Sequence, residues 1–382
     1  MTHPHLHPHA AEERSFHDQR MQRADFDQAP FTIAWEVTRA CAFACQHCRA
    51  DAQHQPSPDE LTTNEARRLI ERLAVFGSPI LVFTGGDPMM RRDLFELIAA
   101  ATEKGLRCSL TPTATALPTA ERLKRAKEAG IRRIALSLDA PAPEVHDEFR
   151  QVPGSWRRTL DILHNAQQIG LSAQVNTTVA RHNLDHLEEM VPFVEHAGAV
   201  QWSLFFLVPT GRAQAEWMIS PQEHERVLNW LYDLSQRAPF DVKATAAPMY
   251  RRIAIQRKTA EMGDQSGGEG IAFQGAGFQY DDGLDRPMKG VNDGSGFLFI
   301  SHCGEIMPSG FLPIPAGNVR QDDVVTVYRG HPLFKALRNP DLLKGKCGAC
   351  SYRQICGGQR GRAYGLTGDY LESDPACAYE PG

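Results

Sequence analysis

Phe31-Thr32-Ile33-Ala34-Trp35-Glu36-Val37, a β-like run, leads straight into Thr38-Arg39-Ala40-Cys41-Ala42-Phe43-Ala44-Cys45-Gln46-His47-Cys48. The cysteines are spaced C-x3-C-x2-C on a loop at a strand end. Thiolates this close can converge on one soft metal centre. Three ligands leave a fourth position open, as in an iron–sulfur cube with one iron free to bind something else. A zinc knuckle is the alternative, with His47 as spare donor, although structural zinc usually takes four closed ligands. Three buried thiols are a third reading, since spacing alone does not choose the metal.

Outward from this loop, strands and helices alternate. A helix opens at Leu61-Thr62-Thr63-Asn64-Glu65 with Thr62 or Thr63 as N-cap, carries Leu69, Leu73 and Phe76 at helical spacing, and stops at Gly77. Strands are expected over 79–83, 106–111, 131–138, 171–179 and 200–208. Helices are expected over 93–104, 119–129, 155–169, 184–196 and 221–236. Such alternation argues for an α/β chain with a parallel sheet and crossover helices. Six units predict a partial (β/α)6, TIM-like barrel, with chemistry at the C-terminal strand ends. Residues 239–296, rich in Gly, Asp and Gln toward their end, read as a linker or lid. A small domain over 297–382 opens with a hairpin through Phe297–Ser301 and Gly304–Pro308. Residues 1–30, with His3, His5, His7 and His9, read as a flexible tail.

The composition fits a soluble enzyme-sized chain. Its 382 residues suffice for two domains. Apolar content of 42% and charged content of 23% are ordinary for a globular protein. A net charge of −5 offers no field for nucleic acid. No apolar run reaches membrane-span length, and the polar start lacks the apolar core of a signal peptide. Nine cysteines without a disulfide-like framework suit a reducing cytoplasm.

The strand ends carry the remaining motifs. Gly85-Gly86-Asp87-Pro88 combines two glycines that let a backbone approach a ligand with a carboxylate able to hold an ammonium group. By itself it is also a turn. Thr111, Thr113, Ser137, Asp139 and Asn176 are polar groups at later strand ends, where satisfied structural roles are the alternative. Arg150 suits a bidentate carboxylate contact or a plain salt bridge. Cys347, Cys350, Cys356 and Cys377 supply a closed set of four thiolates, for structural zinc or a fully ligated iron–sulfur cluster. Cys108 reads as a small buried hydrophobe, and Cys303 sits at a hairpin turn outside the set.

In this order and at these distances, the motifs resemble those of the radical S-adenosylmethionine (radical SAM) enzymes. The family's cluster loop is C-x3-C-φ-x-C with φ usually aromatic; Gln46 stands at φ here. Its Gly-Gly-Glu-Pro becomes Gly-Gly-Asp-Pro, and its D-x-x-R before a Gly-Ser turn is matched by Asp147 to Arg150 before Gly154-Ser155. The C-terminal cysteines resemble the SPASM-type (or twitch-like) extension. Gly357-Gly358-Gln359-Arg360 and Ser309 stand where larger SPASM domains carry further cysteines, so one auxiliary cluster is expected. The tail from Cys356 to Cys377, with Gly310-Phe311-Leu312-Pro313 and Gly317-Asn318-Val319, is most similar to the haem-biosynthesis branch. That branch includes the haem d1 enzymes and the decarboxylases that convert a sirohaem-derived tetrapyrrole to haem.

The resemblance implies a radical SAM core over 31–238 and a SPASM-like domain over 297–382. It implies two 4Fe–4S clusters. One, on Cys41, Cys45 and Cys48, binds SAM; the other is on Cys347, Cys350, Cys356 and Cys377. The methionine part of SAM falls to Gly85, Gly86 and Asp87, with Asp87 on the ammonium. Its ribose and carboxylate fall to Thr111, Ser137, Asp139 and Asn176, with Arg150 pairing the carboxylate. Reductive cleavage of SAM then yields a 5′-deoxyadenosyl radical that abstracts hydrogen from substrate. The implied substrate is a tetrapyrrole side chain undergoing decarboxylation or propionate loss. The implied electron donor is a flavodoxin or ferredoxin, with neither nucleic acid nor membrane as partner. A peptide-modifying maturase is the alternative, and a zinc-binding or electron-transfer protein is the non-enzyme alternative. No residue declares itself a catalytic acid, base or radical relay.

Overall fold

The computed structural model describes residues 25–262, 282, 284 and 290–382. The histidine tail before residue 25 and most of the expected lid beyond residue 262 lie outside the described residues.

Seven parallel strands lie side by side in chain order: β1 (Thr32–Glu36), β2 (Ile80–Thr84), β3 (Arg107–Leu110), β4 (Ile131–Ser137), β5 (Ser172–Val179), β6 (Gln201–Phe206) and β7 (Asp241–Thr245). The connecting helices are α1 (Thr63–Leu73), α2 (Leu94–Glu103), α3 (Ala120–Ala129), α4 (Pro143–Arg150), α5 (Ser155–Gln168), α6 (Val191–His196) and α7 (Pro221–Ser235), with α8 (Tyr250–Met262) after β7. On the other side of β1 the sheet continues through β8 (Phe297–Ile300), β9 (Glu305–Met307) and β10 (Gly317–Asn318). β8 pairs parallel with β1, and β9 returns antiparallel as the expected hairpin. The chain closes with α9 (Val324–Gly330), α10 (Pro332–Arg338), α11 (Gly345–Ala349) and α12 (Arg360–Thr367). The sheet is open, with β7 and β10 at its edges. This is the expected partial barrel.

Local chemistry sets the element boundaries. Thr62 caps α1 and Glu65 returns the bond to its backbone; Ser220 and Glu223 repeat that box at α7. β4 is buried along most of its length, as a strand covered on both faces must be. Two expectations change. The helix expected over 184–196 is two single 3-10 turns followed by the short α6, because Pro192 has no N–H and belongs in a first turn. The expected linker 239–296 opens with β7, paired with β6 from Gln201↔Asp241 to Phe205↔Thr245. Its polar, half-buried Asp-Val-Lys-Ala-Thr sequence hides an edge strand.

One apolar core runs from Ile33, Trp35 and Trp202 in the barrel to Val325, Tyr328 and Phe334 in the C-terminal region. Phe76 meets Tyr328 edge to face at 5.4 Å. The Tyr328 hydroxyl donates to the Phe26 carbonyl at 2.8 Å. Arg362 and Asp374, both fully buried, pair through Nε–Oδ1 (2.9 Å) and Nη2–Oδ2 (2.8 Å). Arg362 Nη1 also reaches the Ala246 carbonyl just past β7. Among the described residues no helix is long and apolar enough to cross a membrane.

Candidate active site

A cavity of ≈ 230 Å³ opens at the C-terminal ends of the barrel strands. The cysteine loop after β1 forms one wall. Main-chain bonds Cys41 N to Gln53 O (2.7 Å) and Gln53 N to Arg39 O (3.0 Å) brace it from within. Thr38 Oγ1 and Arg39 N both donate to Glu60 Oε1. From outside, Gly211-Arg212 after β6 clamps it: Arg212 N donates to Cys48 O and Arg212 Nε to Cys45 O, each at 3.0 Å.

Cys41, Cys45 and Cys48 all line the cavity, the first two buried. Their sulfurs already accept from N–H donors: Phe43 N to Cys41 (3.3 Å), Ala52 N to Cys48 (3.5 Å) and Arg150 Nη1 to Cys45 (3.9 Å). Such bonds favour sulfur that carries negative charge. Burial pushes the Cys41 thiol up to about 11 and Cys45 upward, so these thiols lose their protons to a metal rather than to water. Three soft donors on one wall of a roomy cavity fit a cluster with one open site.

The end of β2 lies directly on this loop. Gly86 N donates to Thr38 O (2.9 Å) and Asp87 N to Ala40 O (2.7 Å). A Cβ at Gly85 would sit 2.3 Å from the Thr38 oxygen, and one at Gly86 2.4 Å from that of Ala40. The glycine pair is therefore required by the fit of strand to loop, and it also borders the cavity.

Asp87 sits deeper than its motif suggests. It is fully buried and is not among the residues lining the cavity, and its carboxylate accepts from Met89 N (3.1 Å), Thr113 N (3.4 Å) and Thr115 Oγ1 (2.9 Å). It caps the turn Pro88–Met90. Asp139 is likewise not among the residues lining the cavity. It too is fully buried, bonding Arg150 Nε and Thr178 N at 2.7 and 2.8 Å. Burial alone would raise its carboxyl, but the Arg150 guanidinium overcomes that and holds it well below the usual range. In this arrangement Asp139 positions Arg150. Thr111, Ser137, Asn176 and Arg150 do line the cavity with Gly85 and Gly86.

Sequence reasoning missed an aromatic stack beside the loop. His47 lies on Phe149 (3.7 Å between ring centres, 3° between planes), and Phe149 on His182 (3.6 Å, 23°). Burial lowers His47 well below its ordinary value and brings His146 and His182 down to about 4, so all three are neutral at physiological pH. Phe149 just before Arg150 was the available signal; its partners lie far apart in the chain. Sequence reasoning also missed Phe311, which reaches the cavity from the loop after β9, and Arg49 beside it.

The four C-terminal cysteines line a separate pocket of ≈ 20 Å³, walled also by Met249 and by Arg252 of α8. Cys347 Sγ accepts from Asp374 N (3.4 Å) and Arg360 Nη2 (3.7 Å). Burial pushes Cys356 up to about 12. Gly358, at φ +64°, would place a Cβ 3.0 Å from Cys347 Sγ, so the backbone cradles the sulfur where a side chain would displace it. The donor set fits a closed, fully thiolate-ligated metal group. Cys303 stands apart, bonded to Ser301 and Glu305, and Cys108 is buried in β3.

A strand-end cavity lined by three loop cysteines, on an open parallel barrel, defines the class. The Radical SAM superfamily profile matches residues 35–194. An "AdoMet-dependent heme synthase" of Oleidesulfovibrio alaskensis is 42% identical over 100% of this chain and 97% of its own length. An "Fe-coproporphyrin III synthase" of Methanosarcina barkeri is 27% identical over 92% of this chain and 88% of its own. Among solved structures, Streptococcus suis SuiB bound to the precursor peptide SuiA superposes with a TM-score of 0.70 at 16% identity, covering 99% of this chain and 83% of SuiB; at that identity the likeness is one of fold. The chain belongs to the radical SAM superfamily. It is an enzyme of that family, whose cofactors are SAM and a SAM-binding 4Fe–4S cluster.

Proposed function

We propose that this chain is a SAM-dependent haem synthase that converts propionate side chains of an iron tetrapyrrole into vinyl groups. The observation that carries the reading is whole-length similarity to the O. alaskensis protein of that name, at an identity well above that to the coproporphyrin enzyme. Haem bears vinyl groups where iron coproporphyrin III bears propionates, so that compound is the substrate proposed. Each conversion removes a hydrogen atom, carbon dioxide and one electron from the side chain. When bound, SAM and its cluster supply a 5′-deoxyadenosyl radical for the hydrogen, an auxiliary cluster supplies an acceptor for the electron, and a flavodoxin or ferredoxin supplies the reducing electron.

The chain's own residues bind, orient and exclude water. Cys41, Cys45 and Cys48 hold the open cluster; Cys347, Cys350, Cys356 and Cys377 hold the auxiliary one. Gly85, Gly86, Thr111, Ser137 and Asn176 border SAM, with Arg150 fixed by Asp139 toward Cys45 and the SAM carboxylate. Phe43, Phe205, Phe206, Leu207 and Phe311 give the cavity an apolar wall that keeps water from a reactive radical. A reducing cytoplasm suits the cysteine-rich chain.

The test is anaerobic incubation of reconstituted protein with SAM, a reductant and iron coproporphyrin III, followed by mass spectrometry. Haem, carbon dioxide and 5′-deoxyadenosine should appear together. Cleavage of SAM with the porphyrin recovered intact would refute the reading.

A further inference from the structure

Two guanidinium groups line the barrel cavity, and they are not equivalent. Arg150 is committed, with Asp139 on one edge and the Cys45 sulfur at Nη1. Arg49, the residue after the last loop cysteine, is held on one side only. Its Nη2 donates to Glu36 Oε2 at 3.1 Å. Glu36 is itself shared, because its Oε1 lies 2.9 Å from His302 Nδ1. The Phe299 ring sits under the Arg49 guanidinium at 4.7 Å. Among the described residues the bond to Glu36 is the one hydrogen bond the Arg49 side chain makes, and it keeps 23% of its exposure.

Gly310 explains why that edge stays open. A Cβ there would lie 2.8 Å from Arg49 Nη1 and 2.9 Å from its guanidinium carbon. Next in the chain, Phe311 turns into the same cavity. Ser309 Oγ accepts from its backbone N–H at 3.0 Å, and its carbonyl packs where a Cβ on Gly361 would fall. A fixed cation with free donors therefore stands beside a fixed aromatic ring. That pairing matches a flat apolar molecule with carboxylate arms.

The geometry points to Arg49 as the receptor for a carboxylate of the substrate, with Phe311 as the surface against its ring system. Glu36 and Phe299 hold the guanidinium plane, and Gly310 leaves room for the arriving oxygens. The inference rests on the tetrapyrrole reading and deepens it, since it assigns the group that recognises a propionate.

The test uses absorbance titrations of the anaerobic holoprotein with iron coproporphyrin III and with its tetramethyl ester, which presents the same ring without charge. Wild-type protein should prefer the acid. Arg49→Gln should cut affinity for the acid by about tenfold to a hundredfold, as loss of a charge-assisted hydrogen bond does, and so erase the preference over the ester. Arg49→Lys should restore part of it. Gly310→Ala, which fills the same spot from outside the cysteine loop, should also lower the acid-to-ester ratio and stands in if the loop variant loses its iron. Acid-to-ester ratios unchanged from wild type in Arg49→Gln and Gly310→Ala would overturn the inference and leave the tetrapyrrole reading standing. A wild-type protein that binds neither porphyrin would overturn both.

Discussion

The two sulfur sites are built on opposite plans. In the barrel, three cysteines from one short loop face a cavity of ≈ 230 Å³. In the C-terminal region, four cysteines, gathered from either side of α12, enclose ≈ 20 Å³. The first is an open cavity and the second a nearly closed one. Their supports differ too. The barrel loop is braced by local backbone bonds and the Arg212 clamp, so it is formed by the fold. At the C-terminal site Cys377 lies across a glycine-rich segment from Cys347, so a metal bound there would contribute folding energy. In the function proposed, chemistry belongs to the open site.

The sharpest way to break this comparison is to remove one plan at a time. Changing Cys41, Cys45 and Cys48 together to Ala should abolish 5′-deoxyadenosine formation under dithionite while iron stays at the C-terminal site; continued product formation contradicts the assignment. Cys377→Ala should do the reverse. It should lower iron content from the roughly eight per chain of two four-iron clusters and open the tail to limited proteolysis, whereas Cys303→Ala should do neither. Iron loss in the Cys303 variant, or about twelve irons in wild type, would mean that a further cluster exists.

A smaller effect is expected at the ion pair behind the closed site. Arg362→Met leaves Asp374 buried without its partner and should cost about 3–5 kcal/mol in anaerobic urea unfolding. Since Asp374 N also donates to Cys347 Sγ, iron should leave that site faster.

Acid should separate the two regions. His146 and His182 beside the open site have folded pKa values near 4, below the ordinary 6.5, because burial disfavours their charged forms. The unfolded chain then binds more protons than the folded one between those values. Their contribution is complete above about pH 6.5 and is lost as pH falls toward about 4. Asp374 is held at about 2, where Arg362 overcomes the opposing effect of burial, so its contribution persists to lower pH. Hydrogen exchange at about pH 5 should show loss of protection in α4 and the 180–186 segment before α12; the opposite order would contradict the pKa assignments.

The smallest effect tests the cap that Asp87 makes. Asp87→Asn keeps the shape but weakens the cap on Pro88–Met90, so it should lower stability by about 1–2 kcal/mol and shift SAM affinity less than threefold. A tenfold loss of SAM affinity by calorimetry, with stability unchanged, would return Asp87 to the ligand.

Much of this architecture was legible because its signals are local. The C-x3-C-x2-C loop, the capping boxes at Thr62 and Ser220, and the six strand-helix alternations each occupy a short stretch of chain. The four C-terminal cysteines were legible because thiolates in that number have few other uses. What could not be read was direction. Asp87 and Asp139 have the residue types of ligand contacts, but both carboxylates are buried among donors that are set by folding. The His47–Phe149–His182 stack and the Glu36–His302 bond, which spans 266 residues, exist only after the sheet has formed. β7 escaped because an edge strand buries too little to enforce an apolar alternation.

The central claim is that only the three-cysteine site has an open metal position. Electron paramagnetic resonance of the dithionite-reduced protein, recorded with and without SAM, tests it most directly. The account predicts signals from two clusters, of which SAM shifts one, and that one is absent when Cys41, Cys45 and Cys48 are replaced. A spectrum that SAM leaves unchanged, or a SAM-sensitive signal that survives the triple replacement, would contradict it.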